Sequence, residues 1–558
     1  MTFHGTALAY TKCRNRAIRR GGFMSHHSRP ETGQESGSFW TSRPGFKPIL
    51  ILIAAVFIAV LIITPPPQSM VNLVSQIRPP GYKLAAGCNT IAETVNKKLH
   101  SEGSPLTERE VAQMAKLMVG ILFVAAFMWG TEALPLGATD ILIGVLMYLF
   151  SILPPNDIAK AYMKDAVFFI FGILAVAVGV AKTGLDKRIG LILLSRIKSA
   201  KAFAFIFLPS LAICAGFLSE HALVALLIPV LMGVYKVSCK MYGVEKDRAL
   251  AIFLLLGVCF AANHGGPGSP AAGGRNAIMV GYLMEYGLPI SFTEWLKFGM
   301  PFVPVMAVVV GAYMYIVCKM RFKVKDINPS EVVKAEAARL SRFGGKEAAM
   351  AVILVMLIAG WIILGEEYGL GGPTLCAVFA MFLCRIVDWD DIQSGVAFDV
   401  VGLYAAACAM GVGLKFTGGA LWLANAFVGL LPDFLAHGDK LAIGVSLLTG
   451  IMTNFMSDGA TVAALGPIVL PMATLANIHI WKVGLACAFS SSFANFLVVG
   501  TPNNAIAFAM GRDPETGERL LDVFDFVKYG LPVTILAWLV LWFWTVFGYW
   551  QFMNWPAG

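Results

Sequence analysis

A short polar motif set in apolar sequence occurs twice in this chain. The first copy runs Phe217-Leu218-Ser219-Glu220-His221-Ala222-Leu223-Val224-Ala225 and on to Pro229. The second runs Phe455-Met456-Ser457-Asp458-Gly459-Ala460-Thr461-Val462-Ala463 and on to Pro467. Phe, Ser, an acid, Ala, Val, Ala and Pro stand in matching places, which implies a duplicated chain. Each copy is followed by a second matching stretch, Cys259 through Gly273-Gly274-Arg275-Asn276-Ala277-Ile278 and Cys487 through Thr501-Pro502-Asn503-Asn504-Ala505-Ile506. Polar, Gly-rich breaks at corresponding places of two apolar halves point to a transporter site made of interrupted helices.

Hydrophobic residues make up 57% of the chain and charged residues 14%, with a mean hydropathy of +0.72, a balance that places it in a lipid bilayer. The net charge of +9 does not indicate nucleic acid, because the basic residues sit in loops beside apolar spans, where they set orientation. The 10 cysteines, among them Cys214, Cys376, Cys384 and Cys408, lie mostly inside apolar runs without paired spacing or His partners, so neither a disulfide framework nor a zinc site is expected.

Residues 1–47, rich in Lys and Arg, read as a disordered cytoplasmic tail. Residues 48–110 hold an uncleaved first span, Pro48 to Thr64, and an exposed hydrophilic extracytoplasmic segment. A first repeat occupies 111–299, with a hairpin at 203–236 and a broken helix at 248–284. A connecting helix and cytoplasmic loop follow at 300–346. A second repeat occupies 347–550, with its hairpin at 440–475 and broken helix at 483–511. Both hairpin runs are too long for one span and carry their polar motif in the middle. If each returns to its starting face, Lys187, Arg188, Arg196, Lys198, Lys236, Lys240, Lys246 and the basic loop from Lys319 to Arg339 all fall on the side of the tail. The first hairpin then opens to the cytoplasm and the second to the outside. The fold expected is an all-α membrane protein of about eleven transmembrane helices plus two re-entrant hairpins in inverted repeats.

These residues resemble the divalent-anion:sodium symporters of the ion transporter superfamily. Trp129-Gly130-Thr131-Glu132-Ala133-Leu134-Pro135 is similar to that family's early W-x-T-E-A-x-P signature, and Gly184-Leu185-Asp186-Lys187-Arg188 to its basic turn before the first hairpin. Ser219-Glu220-His221 and Ser457-Asp458-Gly459 fall where the family carries Ser-Asn-Thr at the hairpin tips. Gly265-Gly266-Pro267-Gly268-Ser269, Gly273-Gly274-Arg275-Asn276 and Thr501-Pro502-Asn503-Asn504 fall where it carries Gly-Gly-x-Gly-Thr and Thr-Pro-Pro-Asn. The resemblance implies a homodimer in the cell inner membrane with an elevator-like motion of a hairpin-bearing domain against a scaffold at roughly 110–165 and 300–395.

A broken helix in a membrane leaves N–H and C=O groups unpaired, tolerable only where they line a cavity or bind something. Helix N-termini at such breaks favour anions, and carbonyl ends favour cations. The candidate substrate-binding residues are therefore Ser219, Glu220, His221, Gly268, Ser269, Arg275, Asn276, Ser457, Asp458, Gly459, Thr501, Pro502, Asn503 and Asn504. Asn276 and Asn504 can bond either the ligand or the opposite hairpin. The plain alternative is that the glycines serve helix packing.

The charges depart from the resembled family. Glu220 and Asp458 stand where it has neutral Asn, and Arg275 where it usually has Pro. The two acids can ligate sodium or carry a proton, and are the candidate coupling-ion residues. Arg275 can grip a carboxylate or sulfonate, or hold Glu220 in a structural ion pair. His221 can touch substrate or a proton, although His221 and His264 also suit structural hydrogen bonds. With His221 neutral, Glu220 and Asp458 against Arg275 leave a net charge of minus one, so a dianion binds only with accompanying protons or sodium ions. The chain reads as a symporter of small anions such as dicarboxylates, sulfate or sulfonates, with a cation/proton antiporter as the alternative. A channel suits inverted broken helices less well. No enzyme motif or cofactor is expected beyond possible sodium ions, since three consecutive residues at Ser219-Glu220-His221 cannot form a catalytic relay.

Overall fold

A computed structural model describes residues 46–99, 105–327, 329–339, 343–513 and 516–556. Nearly all of the tail expected at 1–47 lies outside them. The described chain is almost entirely helical, with an isolated bridge joining Arg512 and Arg519. Among the described residues nine helices are long and apolar enough to cross a membrane, or ten if the bent pair Pro48–Ile63 and Gln68–Ser75 forms one span.

Eight helices build the interior. In the first repeat these are α1 (Leu208–Ala215), α2 (Glu220–Met241), α3 (Arg248–Asn263) and α4 (Gly274–Glu285). In the second they are α5 (Leu441–Met452), α6 (Asp458–Leu475), α7 (Ile480–Ser490) and α8 (Pro502–Met510). Both arms of each hairpin pack on the first half of the broken helix that follows, α1 and α2 on α3, α5 and α6 on α7. The second half of each broken helix crosses to the other repeat, α4 against α6 and α7, α8 against α2 and α3.

The ends of each hairpin meet. The Gly438 N–H donates to the Ala476 carbonyl at 3.3 Å, closing the second. In the first, Asp326 accepts from the Ala200 N–H at 2.6 Å, and Asp247 from the N–H groups of Lys323 and Val324 at 2.6 and 3.1 Å, so one loop ties both ends. The two mouths lie at opposite ends of the bundle. Helix Phe302–Lys319, about 27 Å long for its 18 residues, leads into that loop at its C-terminal end. Just before its N-terminal end the Phe298 carbonyl accepts from the Trp550 indole at 3.1 Å, while the neighbouring Gln551 reaches Asp439 beside the second mouth at 2.6 Å. The final helical segment traverses in the reverse sense, from Asp525, paired with Arg248 at 2.8 Å, to Gln551.

Two expectations change. The segment after the first span is not simply exposed. Met70, Leu73 and Val74 share one helical face, and with Ile91 and Val95 they are buried in the core that includes helix Glu108–Thr131. Helix Phe302–Lys319, expected in a scaffold, packs instead on α1 and α3, with Val303 and Ala307 forming one buried cluster with Ala212 of α1.

Candidate functional site

The hairpin turns and helix breaks converge at the middle of the bundle. Ser219 and Ser457 each cap their second arm, accepting at 3.3 Å from the N–H of Ala222 and Ala460 respectively. The N-terminal ends of α2, α4, α6 and α8 border one cavity of about 410 Å³, whose walls include Ser219, Glu220, His221, Gly273, Gly274, Arg275, Ser457, Asp458, Gly459 and Pro502. Four helix N-termini at one cavity set a local field that favours an anion.

Each break is braced in the same way. The Asn276 amide donates to the carbonyls of Gly266 and Ser269, ten and seven residues earlier, at 2.8 and 2.7 Å. The Asn504 amide donates to those of Ala494 and Leu497, again ten and seven residues earlier, at 2.8 and 2.9 Å. Carbonyls freed by the interrupted helix thereby regain donors. Hydrogen bonds also stitch each hairpin turn to the next break, from Ser269 to the Gly216 carbonyl in the first repeat and from Asn454 to the Phe493 carbonyl at 3.2 Å in the second.

The residue before each asparagine reaches the opposite hairpin instead. Arg275 bonds Asp458, and it also meets Glu220 of its own repeat, Nη1 to Oε1 at 3.1 Å and Nη2 to Oε2 at 3.4 Å. Asn503 bonds His221 at 2.9 Å and Asn263 at 2.8 Å. The Arg275–Glu220 ion pair weighed as one alternative is present, and Asp458 is a second partner that was not expected. The glycines make room for the protein's own side chains. A Cβ on Gly266 would stand 1.7 Å from Arg275 Nη2, and one on Gly274 1.3 Å from the Tyr404 hydroxyl.

Of the candidate residues, Gly268, Ser269, Asn276, Thr501, Asn503 and Asn504 are not among the cavity walls, and all are buried behind them. Asn276 and Asn504, expected to reach a ligand or the opposite hairpin, turn their amide nitrogens to their own breaks because those carbonyls have lost their helical partners. The wall residues not expected there from the sequence include Asp186, Trp361 and Tyr404. Asp186 belongs to the basic turn already singled out. Trp361 and Tyr404 sit in apolar helices whose only signal is one ring in a run of small or aliphatic residues.

A family model described as the sodium:sulfate symporter transmembrane region matches residues 105–555. A sodium-dependent high-affinity dicarboxylate transporter of Caenorhabditis elegans is 26% identical over 437 residues, which cover 70% of this chain and 76% of that one. The sodium-dependent dicarboxylate transporter SdcS of Staphylococcus saprophyticus is 25% identical over 421 residues, covering 70% and 79%. Among solved structures, Neisseria gonorrhoeae MtrF, described as illuminating a class of antimetabolite efflux pumps, superimposes with a TM-score of 0.53 over 89% of this chain and 95% of its own. At 14% identity that likeness is one of fold.

Proposed function

Since this chain belongs to the divalent-anion:sodium symporter family, matching its transmembrane-region model over residues 105–555, we propose that it is a secondary active symporter of small anions in the inner membrane. The observation that carries this reading is the convergence of four helix N-termini and Arg275 on one cavity between two inverted hairpins. The names of the relatives favour dicarboxylates and sodium; the notion extends to sulfate and sulfonates, which offer the same oxygen chemistry to a guanidinium.

Alternating access proceeds by an elevator-type movement of the two hairpins with their broken helices, in a homodimer with its N-terminus in the cytoplasm. The crossed packing of α4 and α8 supports a single moving body, since neither broken helix can shift without the other repeat's hairpin. A cavity that holds Glu220 and Asp458 against Arg275 admits an anion together with a cation. Sodium or a proton fills that role, with Asp458, half-turned to the cavity, as the residue that receives it.

Proteoliposomes containing the full chain are the test. Uptake of at least one labelled small anion among acetate, succinate and sulfate, driven by an inward sodium or proton gradient and abolished when both are removed, is the expected result. If Asp458 receives a proton, Asp458→Asn removes the proton drive and leaves any sodium drive. Uptake indifferent to both gradients would refute symport.

A further inference from the structure

The two acids on Arg275 hold it differently. Glu220 places both carboxylate oxygens against the two terminal guanidinium nitrogens, and its side chain is 3% exposed. Asp458 comes from the opposite repeat, meets Nη1 alone and is 19% exposed toward the cavity. Its second oxygen already accepts the Gly459 N–H at 2.7 Å, so this carboxylate keeps a partner when it leaves the arginine. Arg275 Nε has no partner at all. Of the two, Asp458 is the one that an incoming anion can replace.

Resting on the anion reading above, we propose that the cavity takes an amphipathic monoanion, one carboxylate or sulfonate on an apolar body, whose head displaces Asp458 from Arg275. The walls beyond the tips include Ile170, Ile173, Leu174, Phe217, Leu357 and Leu403, which offer a second charge no counter-ion. The other fixed charges facing the cavity are the acids Asp186, Glu220 and Asp458, with Arg275 the one fixed cation among the wall residues. Beyond the helix N-termini and His221 at the tips, a dianion's second group would meet an apolar wall or an acid, a repulsive element that selects against it. A cavity of about 410 Å³ exceeds what an inorganic anion fills and suits a body of several carbons.

Thermal stabilisation of the purified full chain by hexanoate, hexane-1-sulfonate, adipate and hexylammonium decides the matter. Hexanoate and hexanesulfonate should half-saturate at concentrations about tenfold or more below adipate. Adipate binding as tightly or more tightly overturns the monoanion while leaving the anion reading intact. Stabilisation by hexylammonium alone, or by none of the four, overturns both. Asp458→Asn, which removes the competing charge, should tighten hexanoate binding by about tenfold, and unchanged or weaker binding overturns the displacement. Ile173→Ser, which keeps every charge, should weaken hexanoate without weakening acetate, whereas equal effects on both would place the apolar body elsewhere and overturn the assignment.

Discussion

The first repeat places an arginine immediately before its bracing asparagine, and the second places an asparagine there. Arg275 reaches across to Asp458 and Asn503 across to His221, so both breaks touch the opposite hairpin with different chemistry. Behind that difference the repeats coincide. Asn276 and Asn504 donate over the same ten- and seven-residue spans, and Ser219 and Ser457 cap their helices at the same distance. The duplication is retained where backbone groups must be satisfied in a membrane, and abandoned where a side chain reaches the opposite hairpin.

The largest expected contrast follows from that asymmetry. Arg275→Ala leaves Glu220 and Asp458 without their common cation, costing about 3–5 kcal/mol of stability and all measurable anion binding. Asn503→Ala breaks neutral hydrogen bonds at a cost of about 1–3 kcal/mol. The ratio is read from thermal midpoints and ligand-induced shifts of the two variants, and equal losses would mean that the charge at Arg275 has no special role. Replacing Glu220 by Gln in the Arg275→Ala background should restore part of the lost stability, since it removes one of the stranded charges.

Next in size, Asn276→Ala and Asn504→Ala should each cost about 1–3 kcal/mol by stranding buried carbonyls, and by similar amounts if the braces are equivalent. A difference of more than about 2 kcal/mol between them would break the symmetry of the backbone account. The smallest pair is Ser219→Ala and Ser457→Ala, each about 1 kcal/mol from a lost helix cap, measured by the same thermal scans. A larger effect at one serine would mean that it bonds something besides Ala222 or Ala460.

The sequence displays the hairpins plainly. An apolar run longer than one span with Ser-Glu-His or Ser-Asp-Gly at its centre cannot continue as a single helix, and the duplicated Gly-rich and Thr-Pro breaks fix where the next helices are interrupted. The partners of Arg275 were legible only as a choice between ligand and Glu220, because Asp458 approaches from the other repeat and no local spacing encodes a crossed contact. For the same reason Tyr404 and Trp361 were missed: each enters the cavity wall from a distant apolar helix that carries no polar motif. The position of helix Phe302–Lys319 was misread because a fully apolar run does not announce which side packs on a neighbour and which on lipid.

The most direct measurement is uptake of labelled succinate, sulfate and hexanoate, in parallel, by proteoliposomes carrying the full chain or its Arg275→Lys variant. Lysine keeps the charge that Glu220 and Asp458 require but loses the planar fork that grips an oxyanion. The account predicts gradient-driven accumulation of at least one of the three anions by the unaltered chain, with hexanoate favoured, and a folded variant that accumulates none. Undiminished uptake by Arg275→Lys, or no uptake of any anion by the unaltered chain, would contradict it.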